Sequence, residues 1–288
     1  MRFSWTDSRG ETRTAHSWAP VDPHAVVACV HGLSGSGSNF SPLAGAIPEV
    51  AFHALDLRGQ GSDPVEARRG AVLDMKRQRA DVRCFVQALK NAHPGKPVFL
   101  LGESMGALIS AYSAARHDSG VSSEDLVHGV ILSVPVVTLR RPVPVPVRVV
   151  LRCLGAVVPG LRLPPSRFVN GKSTAPALTR DRAYQDSLAR APHHVKAFTV
   201  GFLNELGQVM DSSADAARSL WKRTLVLSAG RDCFVAPEQI AEWFARIPAV
   251  DKTLREYPEA YHLLWHDWDK EQVLEDVRDW IFRRTLHA

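Results

Sequence analysis

Residues 102–106 read GESMG, in which two glycines flank Ser104 with one residue between each glycine and the serine. The compact apolar run 98–101 precedes this motif and indicates a strand, and the run 107–116 that follows it is suited to a helix. Between a strand and a helix, the spacing predicts a tight turn that holds a strained serine at the carboxyl edge of a sheet. Ser104 is therefore the predicted nucleophile, and the alternative interpretation is a helix N-cap.

A serine hydroxyl is a weak nucleophile at neutral pH, so it needs a base and an acid that orients the base. Asp232 follows the strand-like run 225–228, and His262 follows the strand-like run 254–257. Both residues are expected in loops beyond the ends of strands. The chain order serine, acid, histidine is the order that accompanies this type of turn. We therefore predict a triad of Ser104, Asp232 and His262.

Two residues compete with these assignments. Asp211, in the context MDSS, is a second candidate for the acid, but its surroundings favour a helix cap. His266 lies four residues after His262, and such a pair could bind a metal on a helix. No H-E-x-x-H pattern and no third ligand accompany it. We expect His266 to be a surface or supporting histidine, and we predict no metal and no cofactor.

Acyl transfer also needs two backbone N–H groups directed at the developing oxyanion. Met105, directly after the nucleophile, supplies one, and we predict that Leu33 supplies the other. Leu33 lies in the glycine-rich loop 31–37 (HGLSGSG), which follows an apolar run but contains neither G-K-[ST] nor G-x-G-x-x-G. A nucleotide-binding loop is therefore not expected. His31 and the segment 56–63 (DLRGQGSD) are predicted to be structural, the latter through side-chain to backbone hydrogen bonds.

The elements that must position these residues follow an alternation of short apolar runs and longer amphipathic segments. This pattern is typical of an α/β fold with parallel strands joined by helices. A leading hairpin is expected from residues 2–5 and 12–18. The predicted strands are 26–30, 51–57, 98–101, 127–134, 224–228 and 253–257, and the predicted helices include 70–92, 107–116 and 270–286.

The alternation stops after residue 134, where a proline-rich run, 135–146, and further apolar residues follow. A long insertion that is apolar but not strand-like predicts a helical cap over the carboxyl edge of the sheet. We expect residues 1–134 and 206–288 to form the core and residues 135–205 to form the cap. Apolar residues of the cap are expected to pack on the core, to line an acyl pocket or to contact a lipid surface.

Composition limits the remaining possibilities. The chain has 288 residues, of which 45% are hydrophobic and 23% charged, and a formal net charge of +5, which suit a globular protein with a basic surface and no nucleic-acid partner. We see no secretory signal and no apolar run long enough to span a membrane, so the expected location is the cytoplasm. The cysteines form no C-x-x-C pair and are expected to be reduced, mostly buried residues: Cys29, Cys84, Cys153 and Cys233.

With these residues in place, the chain resembles the monoacylglycerol lipase and lysophospholipase group of α/β-hydrolases. The resemblance implies an eight-stranded, mostly parallel sheet flanked by helices, a helical cap after the sixth strand, and ester hydrolysis without a cofactor. The chain departs from the group at Glu103, where the group has histidine, and at Ala107, where it has glycine. The matching motifs are the His31-Gly32 loop, DLRGQGSD at 56–63, GESMG at 102–106, SAGRD at 228–232 and EYPEAYH at 256–262.

The predicted reaction is hydrolysis of an acyl ester, such as a monoacylglycerol or a lysophospholipid, through an acyl-enzyme on Ser104. A thioester, an amide or a carbon–carbon bond would share the same kind of intermediate, so these substrates stay open. A binding protein that kept the fold and lost turnover is the alternative from another class. The oligomeric state is left open.

Overall fold

The apolar runs predicted as strands form an eight-stranded sheet in a computed structural model that describes residues 1–63, 65–71, 74–115, 126–164 and 177–285. Two further short strands, β7 and β8, pair with each other outside this sheet. In chain order the strands are β1 (Arg2–Thr6), β2 (Thr12–Trp18), β3 (Ala25–Val30), β4 (Val50–Leu55), β5 (Val98–Glu103), β6 (Gly129–Ser133), β7 (Arg162–Leu163), β8 (Phe198–Thr199), β9 (Thr224–Ala229) and β10 (Lys252–Tyr257).

The large sheet has the strand order β1-β2-β4-β3-β5-β6-β9-β10. The strands β1 and β2 form the predicted antiparallel hairpin, β2 pairs antiparallel with β4, and the remaining pairs are parallel. Every residue of β3, β4, β5, β6 and β9 is buried, because helices cover both faces of the sheet. The predicted α/β-hydrolase architecture, mostly parallel and flanked by helices, is confirmed.

The helices begin and end close to the predicted positions. The predicted helix 70–92 begins at Met75, because the Asp74 side chain accepts the Arg77 N–H at 3.0 Å and caps it. Residues 72, 73, 116 and 286, also predicted as helical, lie outside the described residues. The helices are α1 (Ser41–Ala46), α2 (Met75–Ala92), α3 (Met105–Ala114), α4 (Val145–Val157), α5 (Arg182–Arg190), α6 (Val200–Asp211), α7 (Ser213–Arg218), α8 (Pro237–Ala245) and α9 (Lys270–Thr285).

Two apolar layers hold the sheet between its helices. On one face, α2 and α3 pack against the strands through residues such as Phe85 and Leu108. On the other face, α9 and a 3-10 turn place Trp280 and Trp265 against Phe99 and its neighbours. Complete burial of one such large side chain contributes about 1.5–3 kcal/mol to folding, so these layers fix the sheet on which the functional loops stand.

The chain between β6 and β9 contains α4 to α7 together with β7 and β8. We call residues 135–205 the insertion. That these residues form a separate cap stays a prediction. The helix α6 continues across the predicted boundary between residues 205 and 206. The helix α4 buries none of its residues and exposes all five of its valines. Among the described residues, no helix is both long enough and apolar enough to cross a membrane.

The four cysteines are free thiols in different surroundings. Cys29 lies buried in β3, whereas Cys84 and Cys233 are half-buried. Cys153 is exposed on α4, so the prediction of mostly buried cysteines is wrong for this residue.

Candidate active site

Ser104 lies between β5 and α3, at the turn that the motif predicts. Its backbone has φ 57° and ψ −118°, a conformation that costs a non-glycine residue about 1–3 kcal/mol. Close packing around the turn maintains this conformation. A Cβ atom on Gly102 would lie 2.3 Å from the Gly106 carbonyl oxygen, and one on Gly106 would lie 2.2 Å from that of Val30. The two glycines are therefore needed for space, and the turn directs the serine hydroxyl to the carboxyl edge of the sheet.

The structure brings Ser104, Asp232 and His262 together. His262 Nε2 lies 2.9 Å from Ser104 Oγ, and His262 Nδ1 lies 2.6 Å from Asp232 Oδ2. The second carboxylate oxygen of Asp232 accepts the N–H groups of Phe234 at 2.7 Å and Val235 at 3.2 Å. Because these contacts make Asp232 an acceptor, Nδ1 carries the proton and Nε2 is free to accept the one on the serine hydroxyl.

All three side chains are buried, with residue exposures of 8% for Ser104, 1% for Asp232 and 3% for His262. Burial disfavours the charged imidazole, but the charge and hydrogen bond of Asp232 outweigh it and raise the pKa of His262 above its usual value. The ring edge of Phe234 packs on the imidazole with ring centroids 4.8 Å apart. The arrangement can take a proton from the serine hydroxyl and stabilise the imidazolium that results.

The two predicted oxyanion donors flank the nucleophile. Met105 begins α3, and Gly32, directly before Leu33, lies so close that a Cβ atom on it would be 3.0 Å from Ser104 Cβ. Neither the Leu33 N–H nor the Met105 N–H has a protein acceptor within the part of the chain that the structure describes. Two unpaired N–H groups beside a serine hydroxyl suit an oxyanion site, and their role stays a prediction.

The loop that carries Leu33 is held by the residues predicted to be structural. His31 Nδ1 donates to the Gly32 carbonyl at 2.7 Å, and His31 Nε2 accepts the Leu57 N–H at 3.0 Å. Gln60 accepts the Ser34 N–H at 2.7 Å. Both ring nitrogens of His31 are thus used to fix the loop.

The segment 56–63 is likewise a structural support. Asp56 accepts the Gly37 N–H at 2.7 Å, and Arg58 forms ion pairs with Asp7 and Asp81. Burial disfavours the Arg58 charge, but its bonds to Asp81 and neighbouring carboxylates outweigh this effect and raise the pKa of the guanidinium. The side-chain to backbone bonds predicted from DLRGQGSD are present.

Neither Asp211 nor His266, the two competing residues, is part of the triad. Asp211 is the last residue of α6 and pairs with Arg148 at 2.7 Å, so it is neither in the triad nor at a helix N-cap. His266 stacks on Tyr184 with ring centroids 3.8 Å apart and donates from Nε2 to the Asn39 carbonyl at 2.8 Å. Burial lowers the pKa of His266 to about 4, so it stays neutral as a supporting residue. No group of three or more His, Cys, Asp or Glu side chains among the described residues could hold a metal ion.

Glu103 is a feature of the site that sequence reasoning noted only as a departure from a motif. The residue is 1% exposed, and its Oε1 has no hydrogen-bond partner among the described residues. Burial raises the pKa of Glu103 to about 7, although the proximity of His262 and of the Trp265 indole N–H lowers it in part. The position directly before the nucleophile was the available signal, whereas its burial depends on the fold.

The chain is similar in sequence and in fold to known proteins. The family described as serine aminopeptidase, S33 matches residues 21–269. A monoacylglycerol lipase of Mycolicibacterium smegmatis is 27% identical over 92% of this chain and 90% of its own. The monoglyceride lipase of Homo sapiens is 26% identical over 94% of this chain and 87% of its own. A soluble variant of monoglyceride lipase from Saccharomyces cerevisiae, solved with a substrate analogue, superimposes with a TM-score of 0.80 at 20% identity, covering 97% of this chain and 94% of that one.

Proposed function

Since the chain belongs to the serine aminopeptidase S33 family of α/β-hydrolases, we propose that it cleaves carboxylic esters through an acyl-enzyme on Ser104. The observation that carries the proposal is the buried relay in which His262 lies 2.6 Å from Asp232 and 2.9 Å from Ser104. The relatives named as monoacylglycerol and monoglyceride lipases support ester hydrolysis as the reaction.

In the proposed first step, the Ser104 oxygen forms a bond to the ester carbonyl carbon while its proton passes to His262 Nε2. The carbonyl electrons move onto the oxygen, which receives hydrogen bonds from the N–H groups of Leu33 and Met105. When the tetrahedral intermediate collapses, the bond to the alcohol oxygen breaks and the alcohol leaves with the proton from His262. Asp232 stays ionised throughout and keeps the imidazole in the required tautomer and orientation.

In the second step, a water molecule gives a proton to His262 and its oxygen attacks the acyl carbon. The serine oxygen then leaves, takes back the proton, and the carboxylic acid is released. His262 carries the serine proton to the leaving alcohol and the water proton back to the serine, so the proposed reaction balances without a cofactor.

For the substrate, we propose a monoacyl ester such as a monoacylglycerol or a lysophospholipid. The names of the relatives support this class, and so does the apolar character of the insertion. Residues 135–180 contain eight Lys and Arg residues and no Asp or Glu. Exposed valines beside Arg148 and Arg152 on α4 suit transient contact with a lipid surface.

The test is a Ser104→Ala variant measured against monoacylglycerols, lysophospholipids and p-nitrophenyl esters of increasing acyl length. We expect kcat to fall by several orders of magnitude, on the scale of about 10⁴ to 10⁶, with folding largely retained. The parent should also be labelled by a fluorophosphonate probe and the variant should not. Turnover by Ser104→Ala at the parent rate would reject the assignment of the nucleophile.

The same panel, extended by a thioester and an amide, separates the alternatives. A thioester and an amide are included because they share the acyl-enzyme intermediate, and the family description names an aminopeptidase. Higher kcat/KM for either of these than for every ester would assign the other acyl bond. A protein that only binds its ligand would leave the fluorophosphonate probe unreacted. Activity indifferent to acyl length would count against an acyl pocket in the insertion.

A further inference from the structure

One segment of the insertion is bonded directly to the loop that carries the catalytic histidine. We call residues 178–181 the bridge segment and residues 258–269 the base loop. The Leu263 N–H donates to the Leu178 carbonyl at 2.9 Å, and the Thr179 hydroxyl donates to the His266 carbonyl at 2.6 Å. The first bond lies directly before the 3-10 turn that follows His262, and the second is made by the last residue of that turn.

The buried carboxylate of Asp267 bonds to both segments. It accepts the Arg180 backbone N–H at 2.8 Å and the Arg180 Nε–H at 3.1 and 3.2 Å. Its Oδ2 also accepts the N–H of Tyr261, the residue before His262, at 2.7 Å. The side chain of Asp267 is 0% exposed, and Arg180 Nη2 forms a second ion pair with Asp269 at 2.7 Å. The insertion is thereby fastened one residue away from the general base.

The sheet holds the base loop at its first end, and the 3-10 turn near its other end packs Trp265 into the core, so the residues around His262 lie between these two points. The last strand, β10, ends at Tyr257, five residues before His262. The bond from the Arg231 N–H to the Ala260 carbonyl at 2.9 Å links the loop to the end of β9. Beyond that bond, Asp267 closes the turn onto the Tyr261 N–H and ties it to Arg180. The imidazole must meet Ser104 and Asp232 at the same time, so a small shift of this loop disrupts both contacts.

We propose that Asp267 is a positioning residue for His262 and that it acts by fastening the base loop to the insertion through Arg180. The inference rests on the proposed function, because it takes His262 as the base. It adds that part of the insertion keeps the relay assembled, independently of any contact with substrate. A displacement of the reacting groups by about 1 Å is enough to cost about 100-fold in rate.

The experiment compares Asp267→Asn with the parent on p-nitrophenyl acetate, whose short acyl group reports on the relay rather than on an acyl pocket. We expect kcat to fall by about 10- to 100-fold with KM changed by less than about 2-fold. A role confined to substrate binding would instead raise KM for long acyl esters and leave acetate turnover unchanged. That outcome would overturn the proposal.

The pH profile provides a readout that a general loss of stability does not move. Two carboxyl groups act on the imidazole, Asp232 from the loop after β9 and Glu103 from the end of β5, and the Arg140 guanidinium of the insertion contacts the Asp232 carbonyl at 2.5 Å. Asp232 raises the pKa of His262. If the imidazole moves away from Asp232, this pKa falls, so the acid limb of kcat/KM shifts to lower pH. An unchanged limb in Asp267→Asn would contradict the proposal.

A control variant removes a second carboxylate that makes two bonds to one arginine, at the opposite end of β10, where the side chain is more exposed, at 39%. Asp251 precedes β10 at its amino end and bonds to Arg284 through both Nε and Nη2. Asp251→Asn should lower the midpoint of thermal unfolding but leave kcat and the acid limb at the parent values. If it reproduces the kinetic change of Asp267→Asn, the effect belongs to stability and the positioning role is rejected.

Because Asp267 is fully buried, its variant could fail to fold. In that case the test is Arg180→Gln, because the Arg180 side chain is 21% exposed in the parent. The proposal requires the same loss of kcat and the same shift of the acid limb in this variant, with Arg180→Lys recovering part of both. Parent kinetics in folded Arg180→Gln would overturn it.

Fluorophosphonate labelling distinguishes the failure of this inference from failure of the proposed function. A parent that is not labelled would remove the proposed function itself. A parent that is labelled, together with Asp267→Asn that is labelled at the same rate, would leave the proposed function intact and reject the positioning role. We expect labelling of the variant to slow by the same 10- to 100-fold factor as kcat.

Discussion

Replacing Glu103 by glutamine should change how the stability of the protein depends on pH. In the folded chain, burial raises the pKa of Glu103 from 4.5 to about 7, and the residue is 1% exposed. Between these pH values the folded state holds a proton that the unfolded state has lost. Stability therefore falls as pH rises from about 4.5 through about 7, because ionising the carboxyl in the fold costs more than ionising it in water.

The magnitude follows from the size of the pKa shift. One pKa unit corresponds to about 1.4 kcal/mol, so the shift from 4.5 to about 7 is worth about 3 kcal/mol when the group is fully ionised. Glutamine keeps the shape of the side chain but cannot ionise. The stability of Glu103→Gln relative to the parent should therefore increase by about 2–3 kcal/mol from pH 5 to pH 9.

The assay is urea unfolding of both proteins at intervals from pH 5 to pH 9. The difference in the free energy of unfolding between variant and parent should grow with pH up to about pH 8 and then become constant. Using the difference cancels the titration of groups that the two proteins share. A difference that stays level across this range would refute the assignment of a buried carboxyl with a raised pKa at Glu103.

Two further predictions follow from the packing of the sheet. Gly106→Ala should lose at least about 3 kcal/mol of stability or fail to fold, because its Cβ would lie 2.2 Å from the Val30 carbonyl oxygen. Gly45 is the control, since it is exposed on a helix and a Cβ there would have nothing within 4 Å. In the same thermal-unfolding series, Gly45→Ala should gain about 0.5–1 kcal/mol. His53 lies 3.0 Å from His93, and burial lowers the pKa of His53 to about 4. Because the unfolded chain binds this proton more readily, His53 should reduce the stability of the parent by up to about 3 kcal/mol as pH falls from 6.5 to 4. In urea unfolding, His53→Phe should lose less stability than the parent over this range by about the same amount, while other buried histidines such as His266 still contribute in both proteins, and equal losses in the two proteins would exclude a contribution from His53.

Sequence reasoning locates the central strands and the loops of the candidate triad for a physical reason. Strands such as β3 and β5 are buried on both faces, so they need the continuous apolar runs that are visible in the sequence. In a parallel sheet, the residues after such runs gather at one edge, which is why the structure brings Asp232 and His262 to Ser104. The N-cap that shortens α2 to begin at Met75 depends instead on one side-chain contact.

The contacts that sequence reasoning missed join residues that are distant along the chain. Arg180 and Asp267 lie 87 residues apart, and neither belongs to a sequence motif that would indicate an ion pair between them. Glu103 is visible in its motif, but its raised pKa results from burial under Trp265 and its neighbours. The position of Tyr184 against His266 likewise depends on how the insertion folds back over the sheet. Local propensity carries no signal for such contacts, because they exist only after the core has formed.

The three members of the candidate triad differ in how the fold holds them. Ser104 is fixed by its own turn, which is packed between β5 and α3 so tightly that neither flanking glycine can take a side chain. Asp232 and His262 stand on loops that follow β9 and β10, and each loop is also bonded to the insertion. Arg140 donates to the Asp232 carbonyl at 2.5 Å, and Arg180 pairs with Asp267 in the loop of His262. Exchanging the insertion for that of a relative should therefore preserve kcat on short esters only when arginines at both positions are retained.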